Sequence, residues 1–433
     1  MASQPYYAAP YSLCFLSPRA QQDLERDEQI YSSYEKLTSQ LPISHGWSPF
    51  SLQHYQSFWI PSRLVTACMA IQSHFNPRPS DIILVTSPKS GTTWLKALSF
   101  ATLHRRSFSL SSHPLLTNTP HQCVPLLERF YSHRTIPNLN VLPSPTIFAT
   151  HLPFSLLPQS ALGCRIVYLC RDPKDAFVSL YHFLDRCIGS SAEHKSTTQG
   201  LDLSKVFQMF SRGTSAFAPF WDHVLGYWKE SLKSPEMVLF FRYEEMMEDP
   251  ASHLRRLAEF MGCPFSMEEE RDTTRKQAHQ QNPFVKSCLK PYTNPKNSIE
   301  RIILKFHLKE NRQPRVVGRV LGAFGLLITD SCGLLRVWSD GCGLPKAWSE
   351  FDGVVEDIVK LCSFDNLREV EVNKDNKGNF EERRPPPSSF FRKGKVGDWV
   401  NYLSMEMAEK LDAITKEKLH GSGLSFESSS VVP

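Results

Sequence analysis

None of the eleven cysteines belongs to a C-x-x-C pair, and none has the Cys/His spacing of a zinc site. That argues against a thiol-metal centre and a dithiol redox motif. Thiols scattered in this way fit a reducing, cytoplasmic compartment. Long apolar runs are also missing. VLGAFGLLI (320–328), the best candidate, falls far short of the roughly twenty residues that span a bilayer, so no membrane partner is expected. Met1–Ala20 has no charged start followed by a continuous apolar stretch, so no secretory leader is expected. No internal repeat is visible, which sets repeat architectures aside. A pervasive excess of one charge is lacking too. The formal charge is +5, but residues 271–352 hold 14 Lys+Arg against 7 Asp+Glu; that stretch contributes +7 and leaves −2 elsewhere. The basic character therefore belongs to one segment and is not a nucleic-acid-binding face of the whole protein.

What remains is ordinary globular material. The 433 residues are 41% hydrophobic and 21% charged, enough for one large domain or two smaller ones. Residues 1–50 are Ser-, Pro- and Tyr-rich and read as a loose lead-in. Gln53–Phe75 reads as helical, with Phe58, Val65, Met69 and Ile71 as candidate buried positions. DIILVTS (81–87) is a short, continuously apolar strand of the kind buried in parallel sheets. A Gly-containing turn and a helical stretch, TTWLKALSFATL (92–103), follow it. Further strands fit TIFATH (146–151), RIVYLC (165–170) and MVLFFRY (237–243). Helices start at Asp172–Pro173 and Asp249–Pro250, each an N-cap residue followed by proline at the first position. GVVEDIVKLC (353–362) and Ser404–Leu419 complete the helices, ERRPPPSS (382–389) is a loop, and 427–433 is a tail. Apolar strands alternating with helices predict an α/β fold with a central, mainly parallel sheet flanked by helices.

Four segments carry candidate chemistry. PKSGTTW (88–94) lies between a strand and a helix. Backbone N–H groups at a helix start, a glycine and two hydroxyls there make a phosphate cradle, to which Lys89 adds a charge. It is not a Walker A loop, because the order Gly-x-x-x-x-Gly-Lys-[Ser/Thr] is absent, and this argues against an ATPase or P-loop kinase. A plain turn with Thr92 capping the helix is the other reading. RDPKDAFVS (171–179) places Arg171 at the C-terminal end of a strand, where open α/β sheets bind ligands; Ser179 follows two helical turns later. Taken alone, Arg171 and Asp172 read as a local ion pair. RKGKVGDW (392–399) is a basic loop, and His151 ends a strand in THLP (150–153). By themselves, these two read as an ordinary surface loop and a structural histidine.

In this order, the four segments resemble the cytosolic sulfotransferase family and, more closely, its plant branch of flavonol, steroid and hydroxyjasmonate-type enzymes. YQSFWIPSRLVTACMAIQSHF (55–75), SHPLLTNTPH (112–121), FRYEEM (241–246) and LCSFDNL (361–367) agree with it. The resemblance covers roughly 34–270 and 353–426. It implies a domain over 51–426 whose strand–phosphate loop–helix nucleotide site is related to P-loop folds. The implied co-substrate is 3′-phosphoadenylyl sulfate, with no metal required. Lys89, Ser90, Gly91, Thr92, Thr93 and Trp94 would hold the phosphosulfate. Arg171, Ser179, Arg392, Lys393 and Gly394 would hold the 3′-phosphate, since an Arg fork matches phosphate oxygens. Trp94, Phe364 and Tyr243 would flank adenine. His151, neutral near its ordinary pKa of about 6.5, would be the general base, and Lys89 would neutralise charge on the departing oxygen.

The family runs from a CPFSMEEE-like helix end (263–270) almost directly into the GVVEDIVKLC helix, so about 271–352 reads as a non-family insertion. The acceptor would be a small phenol, flavonoid, steroid-like molecule or related alcohol. Phe108, His113, Phe130, Tyr131 and Phe183 are candidates for its pocket wall, with core packing as the competing role for each. The main rival reading is a nucleotide-binding homologue whose turnover the insertion disables. A phosphotransferase is disfavoured by the missing lysine after the glycine. A nucleic-acid binder is disfavoured by the few aromatics in 271–352.

Overall fold

The structure, a computed structural model, describes residues 21–47, 50–189, 201–267, 269, 353–374 and 385–426, all within one compact unit. The basic segment 271–352 and the tail 427–433 lie outside these residues.

Four strands form a parallel sheet in the order β5-β4-β6-β7. They are β4 (Ile82–Thr86), β5 (Ile147–Thr150), β6 (Arg165–Cys170) and β7 (Val238–Arg242). β4 is buried at every position, as a strand covered on both faces must be. Ile83 pairs with Phe148 on one side and Ile166 on the other, so all four C-terminal ends open on one edge. Helices α3 (Thr92–His104) and α6 (Pro173–Gly189) leave β4 and β6 directly at that edge. Asp172 caps α6 by accepting from the Lys174 N–H at 2.8 Å. Asp249 does the same for α10 (Pro250–Phe260) through Ser252 at 3.0 Å, as the Asp-Pro starts predict. Ser404 caps the last helix, α14 (Met405–Leu419).

The N-terminal third departs from expectation. The lead-in is ordered from residue 21, with α1 (Gln21–Thr38) and β1 (Ile43–Trp47). The helix expected over Gln53–Phe75 is instead β2 (Phe50–Tyr55), β3 (Phe58–Pro61) and a shorter α2 (Val65–His74). A tight turn at Gln56–Ser57, both with positive φ, joins the first two. β1–β3 make an antiparallel sheet of their own. Phe58, Val65, Met69 and Ile71 are buried as expected, Phe58 from a strand.

Between β4 and β5 in sequence come α4 (Pro120–Cys123) and α5 (Leu127–Tyr131), followed after β6 by α7 (Leu203–Ser211) and α8 (Phe220–Lys233). Tyr168 of β6 stacks on Tyr227 of α8 with ring centroids 4.4 Å apart. Trp221 donates from its buried indole to Thr415 of α14 at 2.9 Å. Burying side chains of this size stabilises by roughly 1.5–3 kcal/mol each. Beyond β7 come α9 (Tyr243–Glu248), α10, α11 (Val354–Leu361), α12 (Phe364–Glu369) and α13 (Glu371–Lys374). α10 and α11 flank the undescribed 271–352 in sequence, yet they pack on each other, with Arg255 and Glu356 3.4 Å apart.

Candidate active site

At the β4–α3 junction the chain turns through Lys89 (φ +67°) and Gly91 (φ +108°). The left-handed region is costly for a residue with a Cβ, so the turn holds Lys89 under strain. Gly91 has no alternative here, because a Cβ would lie 2.8 Å from Leu169 and 2.9 Å from the Tyr243 ring. Gly91, not Thr92, is the N-cap, and no side chain caps α3. Its first backbone N–H groups therefore lack intrahelical acceptors and present the positive end of the helix to the turn. Thr92 spends its hydroxyl on Thr86 at 2.6 Å, and Thr93 meets His121 at 3.1 Å. Trp94 meets Tyr243 edge-on at 5.6 Å. Ser90 is fully buried and its hydroxyl has no partner. The Lys89 ammonium lies 4.1 Å from the Phe183 ring centre and 5.4 Å from that of Phe390. Burial, together with the Arg171, Arg186 and Arg392 charges, pushes its pKa down to about 7.

His151 follows β5 and is fixed at three atoms. Its N–H donates to Glu128 at 2.5 Å, its carbonyl accepts from His223 Nε2 at 2.9 Å, and its Nδ1 donates to the Thr86 carbonyl at 2.8 Å. A carbonyl only accepts, so Nδ1 carries the proton and the Nε2 lone pair is left for chemistry. Burial lowers the His151 pKa to about 3, with nearby Lys96, His223 and Lys89 adding to the effect. The ring therefore stays neutral across the physiological range. Phe217 (φ +58°) lies beside it at 5.5 Å between ring centroids, and two 2.7 Å backbone hydrogen bonds join Phe217–Ala218 to Trp59 of β3. The small sheet thus holds one side of the His151 ring.

The other end of the site joins the β6–α6 junction to the 392–399 loop. Arg171 is almost fully buried. It donates to the Lys395 carbonyl at 2.7 Å, lies 3.4 Å from Asp175, and covers the Tyr243 ring at 4.6 Å. The ion pair expected with Asp172 is made with Asp175 instead. Asp175 also accepts from the Gly397 and Trp399 N–H groups at 2.7 and 3.0 Å, clamping the loop to α6. Arg392 and Lys393 both fold onto Asp398, the latter at 2.7 Å. Gly394 (φ +63°) passes so close to Phe364 that a Cβ would lie 2.4 Å from its ring. Ser179 is buried one α6 turn beyond Asp175, with no hydrogen-bond partner among the described residues.

A ligand rich in acceptor oxygens fits these residues. Ser90 Oγ, Arg171 Nε and Arg392 Nε are buried hydrogen-bond donors with no acceptor, an arrangement that costs stability unless an anion completes it. Among the described residues, no group of three His, Cys, Asp or Glu could hold a metal ion.

Known proteins carry the same organisation. A family model described as a sulfotransferase domain matches residues 79–306 and 341–423, leaving 307–340 unmatched within the proposed insertion. The chain belongs to the sulfotransferase family. Cytosolic sulfotransferase 15 of Arabidopsis thaliana is 36% identical over 93% of this chain and 89% of its own. Flavonol 4′-sulfotransferase of Flaveria chlorifolia is 34% identical over 93% and 99%. Among solved structures, an Arabidopsis thaliana protein provisionally assigned as a steroid sulphotransferase has a TM-score of 0.57 at 29% identity, covering 95% of this chain and 99% of its own. A mouse sulfotransferase complexed with PAP shares the fold, with a TM-score of 0.50 at 19% identity over 86% and 95%. As a sulfotransferase, this chain is an enzyme that uses 3′-phosphoadenylyl sulfate as its co-substrate.

In this sulfotransferase contacts run from the 88–94 turn through Tyr243 and Arg171 to the 392–399 loop, with Lys89 among the charges of Arg171 and Arg392. Of the wall candidates, Phe183 faces Lys89. Tyr131 is core, its carbonyl accepting from Tyr31, and Phe130 is buried beside it. Phe108 and His113 pack with Phe100 and His104 in a separate aromatic cluster. The sequence reading missed Lys96, His121, Glu128 and Asp175. The one available signal was a charge within an apolar helical run, visible for Lys96 in TTWLKALSF and for Glu128 in LLERFY.

Proposed function

We propose that this enzyme moves the sulfuryl group of 3′-phosphoadenylyl sulfate to a hydroxyl of a small phenol, flavonoid, steroid-like molecule or related alcohol, with His151 as general base. One observation carries the assignment. Thr86 ends β4, holds the His151 ring through its carbonyl and, through its hydroxyl, ties to Thr92 of the phosphate turn. Base and cradle therefore share one anchor, which supports in-line geometry between the acceptor oxygen and the sulfur. His151 Nε2 takes the acceptor proton as the new O–S bond forms. The S–O bond to the phosphate breaks, and Lys89 neutralises the charge left on that oxygen. Arg171, Arg392, Lys393, Gly394 and Ser179 hold the 3′-phosphate, while Trp94, Tyr243 and Phe364 flank adenine. The flavonol relative supports an aromatic alcohol as acceptor. The naming of the relatives as cytosolic supports a cytoplasmic location. No described helix is long and apolar enough to cross a membrane.

The test is transfer of labelled sulfate to a panel of phenols and alcohols. Wild type is expected to turn over and His151→Ala to lose about 10²–10⁴-fold in kcat, the usual contribution of a general base, with nucleotide affinity retained. Donor binding without product across the whole panel would favour the impaired-homologue reading.

A further inference from the structure

Lys96 has no exposed surface; its ammonium donates to the Val124 carbonyl at 3.0 Å and meets His121 Nδ1 at 3.3 Å, while the buried Glu128 carboxylate acts on it through space and not through a hydrogen bond. A buried lysine without a hydrogen-bonded carboxylate is expensive, and helix packing at that position of α3 would be served by any aliphatic residue. The other nitrogen of the same imidazole, Nε2, lies 3.1 Å from the Thr93 hydroxyl in the phosphate turn. The His121 ring also packs on Phe390, with centroids 4.1 Å apart, directly before the 392–399 loop.

We propose that Lys96 and His121 are positioning residues that turn the Thr93 hydroxyl into a hydrogen-bond donor aimed at the phosphosulfate. Burial lowers the Lys96 pKa to about 7; below that pH its ammonium can only donate, so Nδ1 is the acceptor and the ring proton sits on Nε2. Nε2–H donates to Thr93 Oγ1. That hydroxyl, its accepting side occupied, directs its own hydrogen outward to the anion. With the other tautomer, Thr93 would spend its hydrogen on the imidazole and offer the anion a lone pair instead. A hydrogen bond from hydroxyl to charged phosphate changes affinity by about tenfold or more. This inference rests on the donor site proposed above.

The experiment measures calorimetric binding of adenosine 3′,5′-bisphosphate, the nucleotide left after transfer, which needs no acceptor. His121→Phe keeps a ring against Phe390 but removes both nitrogens. His121→Gln loses the ring but keeps an N–H where Nε2 stood. The relay predicts about tenfold weaker binding for His121→Phe and near-wild-type binding for His121→Gln. Lys96→Met, which frees the tautomer, should match His121→Phe. Thr93→Val should weaken binding by a similar factor, and adding His121→Phe to it should cost nothing more. A purely packing role for His121 predicts the reverse order of Phe and Gln and would overturn the relay. So would additive losses in the Thr93→Val/His121→Phe pair. Wild-type protein that fails to bind the nucleotide sinks the donor site and the relay together; unchanged binding by His121→Phe sinks the relay alone.

Discussion

Burial, with the Arg171, Arg186 and Arg392 charges adding to it, lowers the Lys89 pKa to about 7. A bound anion favours the ammonium, so it raises that pKa. Binding then takes up a proton above pH 7 and none below it. Nucleotide affinity should therefore fall as pH rises through about 7 to 9, approaching tenfold per unit for one linked proton. Lys89→Met should bind more weakly and lose most of that slope; a flat wild-type profile over the same range would refute the lowered pKa. His151 behaves in the opposite sense. Already neutral, it gives the free enzyme no acid limb until far below physiological pH. The tight turn at Gly91 was legible because it and its flanking hydroxyls sit between an apolar strand and an apolar-faced helix. Lys96, His121 and Asp175 were not, since each draws its meaning from partners tens or hundreds of residues away.

At the level of elements, the strand–turn–helix units were readable because Pro and Gly mark their ends and the parallel strands are continuously apolar. β2 and β3 were not, because the apolar spacing of Phe58, Val65, Met69 and Ile71 suits a helix, and only the turn at Gln56–Ser57 separates strand from strand. The 392–399 loop has no regular hydrogen-bond ladder and depends on α6 for its shape. Asp175→Ala removes the acceptor of two of its N–H groups and the partner of Arg171. The expected result is at least tenfold weaker nucleotide binding and a stability loss of about 1–3 kcal/mol. Asn at this position, which keeps one acceptor, should fall between. Unchanged affinity in Asp175→Ala would show that the loop does not depend on this clamp.

For the whole molecule, the decisive arrangement is that α10 and α11 pack together although 271–352 separates them in sequence. Loop closure grows in cost only slowly with length, so the core tolerates a long connection there. Removing 271–352, or only the unmatched 307–340, should leave the melting transition and nucleotide affinity within about twofold of wild type. A deletion that abolishes folding would make that stretch part of the domain; one that raises turnover would make it an inhibitor. The clamp between Arg171 and the Lys395 carbonyl has a consequence of another kind. Its two halves are 224 residues apart, so during synthesis the ribosome completes the sheet and the 88–94 turn long before the groups that close the proposed nucleotide site. With the donor site as proposed, a nascent chain lacks a complete nucleotide site until Lys395 has emerged, and nucleotide is expected to give no stabilisation to a chain truncated upstream of it.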